Sequence, residues 1–202
     1  MKPTLKYFAA TSCALISLTT ACLAPSARAQ NAMRLPDSLR LQSGSAAKAN
    51  AFDGGVSFVL PPGYRALSKA EIARKFSSTS APQYVWAGDK NLSASIALTR
   101  DAMRVSPTEL PLLVEPMRKS LEADKTLQWL GRETIEINGQ SWIHFEFITK
   151  AVDTRIYNDL YFTSWNGQLL IFNFNATLDQ RDRVAPLFHK CRDSIELQVA
   201  KG

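Results

Sequence analysis

Two Asn-Gly dipeptides, each lying between long apolar runs, constrain the fold of this chain more than any other feature. They are Asn138-Gly139 and Asn166-Gly167. Asn-Gly between apolar runs is typical of a type I′ turn, which joins two antiparallel strands through a two-residue loop. The sequence therefore predicts two successive hairpins that form a four-stranded antiparallel meander. Its strands are predicted at 130–137, 140–150, 154–165 and 168–176.

Three shorter segments ahead of the meander also carry strand patterns. They are rich in apolar residues, two of them are followed directly by turn residues, and the third alternates apolar and polar residues with period two. Together with the meander they bring the predicted number of strands to about seven. These strands are predicted at 56–60, 83–87 and 93–99.

Three segments carry helix patterns. Ser68 and Glu71 have the spacing of a capping box, which predicts a short helix ending near Phe76. Two later segments place apolar residues at i, i+3, i+4, i+7 and i+11, positions that share one face of a helix. In the first of them Pro116 should kink the helix or delay its regular start. These two helices are predicted at 110–121 and 179–195.

A four-stranded antiparallel run with apolar surfaces needs cover, and three amphipathic helices can supply it. The predicted class is α+β, as an α/β/α sandwich around a mainly antiparallel sheet of about six to seven strands. A chain of 202 residues suits one domain with a sizeable core. That domain is predicted at 52–198, after a flexible leader at 30–51 without apolar periodicity and before a short tail at 199–202.

The amino-terminal residues have the pattern of an export signal. Lys2 and Lys6 supply positive charge, Phe8–Leu18 is short and mostly apolar, and Ala27-Arg28-Ala29 offers small residues at a cleavage site. The apolar stretch is too short to span a bilayer. Residues 1–29 are therefore predicted to be a signal peptide that is removed on export. The mature protein is then expected in the periplasm or outside the cell.

A second processing site competes with cleavage after Ala29. Leu18 to Cys22 loosely resembles a bacterial lipobox, in which Cys22 would be lipidated and become the new amino terminus. The small Ala21 before the cysteine fits this motif, whereas Thr19 stands where leucine is usual. The alternative prediction is therefore a membrane-anchored lipoprotein, and membrane contact is expected only in that case.

Removal of residues 1–29 changes what the composition implies. Cys13 and Cys22 lie in that segment, so Cys191 alone cannot form an intramolecular disulfide or a cysteine-rich zinc site. The segment also holds three basic residues and no acidic one, which reduces the formal net charge from +6 to +3. The chain has no basic run interleaved with aromatic residues, so nucleic acid is not an expected partner.

The two histidines do not predict a catalytic site. Alternation along its strand places His144 on the same face as Glu146. No further ligands with metal-binding spacing accompany them, so His144 is interpreted as a structural histidine. His189 and Cys191 are two residues apart on a helix, where side chains diverge by roughly 200°. Cys191 also belongs to the apolar stripe and is interpreted as an inert core residue.

Acidic residues are scattered over the meander, at Glu133, Glu136, Glu146, Asp153 and Asp159. A carboxylate pair across two strands is one interpretation of them. The favoured interpretation is cross-strand ion pairing with basic neighbours. Those neighbours are Arg132, Lys150 and Arg155. The common hydrolase, phosphate-binding, zinc-peptidase and dinucleotide motifs are missing from the sequence. We therefore expect no enzymatic activity, no cofactor and no metal.

One strand face is a candidate interaction surface. Tyr157, Asp159, Tyr161 and Thr163 alternate along the third strand of the meander and share a face with both aromatic and polar character. Such a face could line a shallow groove that binds a partner. If a helix covers it, the face is core instead, and this is the favoured alternative.

Several segments resemble those of a known family, the PsbP-like domains, and especially the exported bacterial DcrB-like group. Members begin with a strand, an aromatic residue after a Pro-x-Gly turn, and a short capped helix. The segments that carry the resemblance are Val56–Arg65, Leu67-Ser68, Glu71-Ile72, Ile137–Gly139, Asn166–Gln168 and Ser194-Ile195.

The resemblance implies a PsbP-like fold over about residues 52–198 and roles in binding or scaffolding, mostly without catalysis. No functional residue of the family carries over to this sequence. The leading expectation is a non-enzymatic exported bacterial protein that binds a protein partner in the periplasm. It would act as an accessory or adaptor protein, or as an immunity-type inhibitor of a toxin. The alternative is a small-ligand or lipid carrier that uses a cleft between the sheet and a helix.

Overall fold

The computed structural model describes residues 47–76, 81–89 and 91–198. The predicted signal peptide, Cys22, the tail and most of the predicted leader lie outside these residues. Within them the chain forms ten strands and three α-helices. The strands are β1 Lys48–Ala51, β2 Val56–Val59, β3 Arg65–Ala66, β4 Tyr84–Ala87, β5 Ala94–Arg104, β6 Gln128–Ile137, β7 Gln140–Lys150, β8 Arg155–Trp165, β9 Gln168–Thr177 and β10 Glu196–Leu197. The helices are α1 Lys69–Lys75, α2 Val114–Leu121 and α3 Arg181–Asp193.

Seven strands form one antiparallel sheet in the order β3-β4-β5-β9-β8-β7-β6. The predicted meander supplies β6 to β9, and its two Asn-Gly turns join β6 to β7 and β8 to β9. In the first turn φ is +49° at Asn138 and +78° at Gly139, and the second turn is similar, as type I′ geometry requires. β9 also pairs with β5, so β5, β4 and β3 extend the sheet from the β9 edge of the meander.

A separate three-stranded antiparallel sheet contains β1, β2 and β10, with β2 in the centre. The structure corrects the predicted leader, because residues 48–51 form β1 and the side chains of Ala49 and Ala51 are buried. β1 forms by pairing with β2, from Lys48 opposite Val59 to Ala51 opposite Val56. Two alanines give little apolar periodicity, so the local sequence does not predict this strand.

Different elements cover the two faces of the seven-stranded sheet. α3 and the three-stranded sheet cover one face, where Phe58 and Phe188 pack against aromatic side chains of β9. On the opposite face α1 covers β4 and β5, and α2 lays Met117 and Leu121 against the meander. The structure confirms the predicted α+β sandwich around an antiparallel sheet, and it adds the three-stranded sheet to one outer layer.

The helix boundaries follow the capping and proline signals. At α1 the backbone N–H of Glu71 donates to Ser68 Oγ, and the Glu71 carboxylate accepts from the backbone N–H of Ser68 at 2.8 Å, so the capping box is confirmed. Residues Leu110–Leu113 form a 3₁₀ turn and the regular helix starts only at Val114. Pro116 therefore lies in the first turn of α2, where its missing N–H removes no helical hydrogen bond.

Candidate functional site

Most of the interior is apolar, but one group of polar side chains lies between strands β6 to β8 and helix α3. Alternation along the strands directs these strand residues to the face that α3 covers. The register places His144 of β7 between Glu133 of β6 and Tyr161 of β8. The group, which we name the polar cluster, consists of Glu133, His144, Glu146, Tyr157, Asp159, Tyr161, Arg181, His189 and Arg192.

His144 lies at the centre of the polar cluster. Its Nδ1 is 3.1 Å from Glu133 Oε1, and its Nε2 is 2.6 Å from Asp159 Oδ1. Its ring stacks on Tyr161 with the ring centroids 4.4 Å apart. Burial disfavours the charged imidazole, but the hydrogen bonds and charges of Asp159 and Glu133 outweigh it and raise the pKa of His144. Two carboxylate acceptors are best satisfied when both ring nitrogens donate, which is the imidazolium form.

Asp159 binds His144 from the inside of the protein. Its side chain is fully buried, and within the described residues its Oδ2 atom has no hydrogen-bond partner. The exposed His189 of α3 places its Nε2 3.9 Å from that oxygen, just beyond hydrogen-bonding distance. Both histidines of the chain therefore lie beside a single carboxylate.

Two arginines attach α3 to the same strands. Arg181 in the first turn of α3 pairs with Glu146 at 3.3 Å and lies over the ring of Tyr157, 5.2 Å from its centroid. Arg192 in the last turn donates to the Tyr161 hydroxyl at 3.2 Å and also lies over that ring. Burial raises the pKa of both tyrosines, so they remain neutral. The polar cluster thus connects both ends of α3 to the sheet.

The polar cluster can hold protons and orient α3, but neither His144 nor the nearby Cys191 is placed to act as a nucleophile. Both ring nitrogens of His144 are occupied by carboxylates. Cys191 lies on the buried side of α3, where burial raises the pKa of its thiol to about 12 and disfavours the reactive thiolate. His189 is exposed on another side of the helix, in agreement with the divergence expected from helical geometry. In the part of the chain that the structure describes, no three potential ligands among His, Cys, Asp and Glu are arranged to hold a metal ion.

The face predicted from Tyr157, Asp159, Tyr161 and Thr163 lies inside the protein. All four residues are fully buried. Arg181 and Arg192 of α3 lie over the two tyrosine rings, and Thr163 Oγ1 donates to the carbonyl oxygen of Ser141 at 2.6 Å. These residues are core, and the structure offers no open surface made of the four together. The other predicted site residue, Cys22, lies outside the described residues.

The acidic residues of the meander have partners other than those expected. Glu133 and Asp159 bond to a histidine, and Glu146 pairs with an arginine of α3. None of the expected basic partners forms an ion pair with a meander carboxylate in the described ranges, so that prediction was wrong. Those partners were Arg132, Lys150 and Arg155.

One local signal does locate part of the polar cluster. The first Asn-Gly turn sets Ile137 opposite Gln140, and counting four residues away from the turn on each strand sets Glu133 opposite His144. No comparable signal in the sequence predicts which residues of α3 join the polar cluster. Whether Arg181 and Arg192 reach the strands depends on how the helix lies on the sheet.

The described surface carries two large apolar side chains with high exposure. Leu112 is 71% exposed in the 3₁₀ turn before α2, and Val152 is 81% exposed in the turn between β7 and β8. The backbone around Leu112 is fixed, because Leu110 is buried and the N–H of Leu112 donates to the carbonyl of Glu109 at 2.9 Å. Leu112 is therefore presented to solvent from an ordered turn.

None of the helices among the described residues combines the length and the apolar character needed to cross a membrane. No family model matches the sequence, and no curated protein is significantly similar to it. Solved structures do share its fold, at low sequence identity.

Cyanobacterial PsbP (CyanoP) from Synechocystis superposes with a TM-score of 0.52 at 15% identity, covering 78% of this chain and 96% of that one. LpqN, which is involved in cell envelope biogenesis of Mycobacterium tuberculosis, gives a TM-score of 0.52 at 12% identity, over 78% and 87% of the two chains. A mutant of the protein Mog1 gives 0.50 at 11% identity, over 78% and 98%. These likenesses establish a PsbP-like fold, and at such identities they establish the fold alone.

Proposed function

We propose that this chain is an exported, non-enzymatic protein that acts by binding a protein partner in the cell envelope. The observation that carries the proposal is Leu112, a large apolar side chain that an ordered turn holds 71% exposed. An apolar side chain in water is unfavourable for an isolated protein, and burial against a partner removes that cost. A fixed turn also reduces the conformational entropy that binding must remove.

The surroundings of Leu112 suit a specific contact. Pro111 beside it is exposed, and the exposed carboxylates of Glu109 and Glu115 flank the pair along the chain. An apolar centre with charged residues at its rim is the usual anatomy of a protein interface. Because Glu115 already pairs with Arg118 at 2.8 Å, the rim carries charges of both signs, and a fitting partner would present an apolar pocket with polar and charged residues at its edge.

The interior supports a non-enzymatic role. Of the three side chains best suited to acid–base or nucleophilic chemistry, His144 and Cys191 are buried, and the exposed His189 lies 3.9 Å from Asp159, beyond hydrogen-bonding distance. His144 is bonded on both nitrogens, while the raised pKa of Cys191 keeps its thiol protonated. The polar cluster therefore serves to hold α3 on the sheet.

The envelope location rests on the predicted signal peptide at residues 1–29 and on the fold that this chain shares with LpqN, whose role is in cell envelope biogenesis. Within that location the protein acts as an accessory or adaptor protein, or as an immunity-type inhibitor of a toxin. The partner identified by capture distinguishes these roles, because a secreted toxin is expected only for the second.

Capture of the partner from an envelope extract tests the proposal. The purified protein is immobilised as wild type, as Leu112→Gln and as Val152→Gln, and bound proteins are quantified by mass spectrometry. Val152→Gln is the matched control, since it removes an apolar side chain that is at least as exposed from a different turn. Wild type and Val152→Gln should retain a stoichiometric partner, and Leu112→Gln should retain about tenfold less.

Two results would contradict the proposal. Equal recovery by Leu112→Gln and wild type would show that this turn does not bind the partner. Recovery of the protein with a lipid and without a protein partner would favour the carrier alternative. A carrier needs space between the sheet and α3, and there the rings of Phe174 and Phe188 lie 5.3 Å apart. No described contact favours that alternative.

A further inference from the structure

The outer edge of the meander is a long strand with a free side. β6 pairs with β7 alone and contains ten residues, whereas β3 at the opposite edge of the sheet contains two. We propose that β6 pairs antiparallel with β6 of a second copy of this chain, forming a symmetric dimer with one continuous sheet.

The backbone of β6 is suited to this pairing. The two-residue turn makes Ile137 and Gln140 the first hydrogen-bonded pair of the hairpin, and bonding toward β7 then alternates along the strand. Arg132, Thr134 and Glu136 consequently direct their N–H and C=O groups away from β7. Within the described residues no loop or turn hydrogen bond uses the backbone of these three residues.

Charge selects one register for the dimer. In a symmetric antiparallel pair the residue on the two-fold axis faces its own copy. An axis through Thr134 sets Arg132 of each chain opposite Glu136 of the other, on the same face of the sheet. An axis through Arg132, Glu133 or Glu136 would instead place like charges in contact. An axis through Ile135 would lose both ion pairs.

The side chains are available for these contacts. Arg132, Thr134 and Glu136 are all exposed. Glu136 has neither a hydrogen bond nor an ion pair among the described residues, and the guanidinium of Arg132 lies over the Trp129 ring, 5.2 Å from its centroid. Charges on edge strands usually prevent pairing. On β6 the order of Arg132 and Glu136 favours pairing with a second copy of the strand. Pairing with a strand that lacks the complementary charges is disfavoured.

Charge exchange tests the dimer. Sedimentation equilibrium of the purified protein, up to about 1 mM, measures the dimer dissociation constant. Arg132→Glu and Glu136→Arg should each weaken the dimer about tenfold, because each variant sets like charges across the two-fold axis. An equimolar mixture of the two variants should restore association at least to the wild-type level, since every charge then meets its opposite. Lys69→Glu, on the exposed start of α1 at the far side of the sheet, should leave the dissociation constant unchanged.

Three outcomes would overturn the dimer. They are a monomeric wild type over the whole concentration range, single variants that associate as tightly as wild type, and a mixture that does not recover. The mixture requires both variants to fold, which circular dichroism checks before sedimentation. The result is independent of partner capture through Leu112, so the two proposals can fail separately.

Discussion

Each ring nitrogen of His144 bonds to a different carboxylate, and the face of the ring stacks on Tyr161, over whose ring Arg192 of α3 also lies. A buried histidine in such surroundings is stabilised as the cation. The sequence predicted a structural histidine and the correct strand face, and the first Asn-Gly turn sets Glu133 opposite that histidine, but no local signal indicates Asp159 as the second partner. For Asp159 the missing information was the pairing of β7 with β8, because the turn at 151–154 has no Asn-Gly or Asp-Gly pair that would predict the register of these strands.

The charge of His144 makes folding stability depend on pH. Because the folded-state pKa of His144 lies above that of the unfolded chain, its contribution is complete below about pH 6.5 and is lost as the pH rises through the folded-state value. At pH 5.5 His144→Gln should lower the free energy of unfolding by about 2 kcal/mol, since hydrogen bonds to charged groups are lost. The difference from wild type should shrink as the pH approaches 9.

Urea unfolding over this pH range measures the effect. His189→Gln is the control, because His189 is exposed and lies 3.9 Å from the same carboxylate. That variant should change the free energy of unfolding by less than about 0.5 kcal/mol. Parallel pH profiles of wild type and His144→Gln would show that the imidazolium does not stabilise the fold.

The secondary-structure elements divide into those with local signals and those formed by distant pairing. The hairpins, the α1 capping box and the delayed start of α2 were predicted, because each depends on a few adjacent residues. β1 and β10 were not predicted, since each exists only by pairing with β2. Neither strand is longer than four residues, which is too short for period-two alternation to be recognised in the sequence.

Substitution in β1 tests whether it belongs to the folded domain. Ala49 is 5% exposed and faces the core, whereas the adjacent Asn50 is exposed. Ala49→Asp should lower the free energy of unfolding by about 3 kcal/mol, because it buries an unpaired charge. Asn50→Asp, the matched control, should be close to neutral. Equal and small effects in urea unfolding would instead mean that these residues form a flexible leader, as the sequence alone had predicted.

In the whole molecule, the fold buries His144 and Cys191 and leaves Leu112 and one side of β6 without a covering element among the described residues. The apolar pattern of strands and helices predicted the α+β sandwich, because burial of apolar surface determines that architecture. The function was not determined in the same way, since a PsbP-like fold does not specify a site. Leu112 illustrates this limit. It lies two residues after Leu110 and therefore off the apolar stripe of the predicted helix, a position that indicates exposure but says nothing about a partner.

We infer that the polar cluster supports the structure and that the Leu112 turn binds the partner. The most direct measurement is quantitative capture of the envelope partner by wild type, Leu112→Gln and His144→Gln, each with its folded fraction verified by circular dichroism. We expect His144→Gln to retain the wild-type amount of partner per folded molecule and Leu112→Gln to retain about tenfold less. Loss of the partner from folded His144→Gln, with full retention by Leu112→Gln, would show instead that the partner binds at the polar cluster.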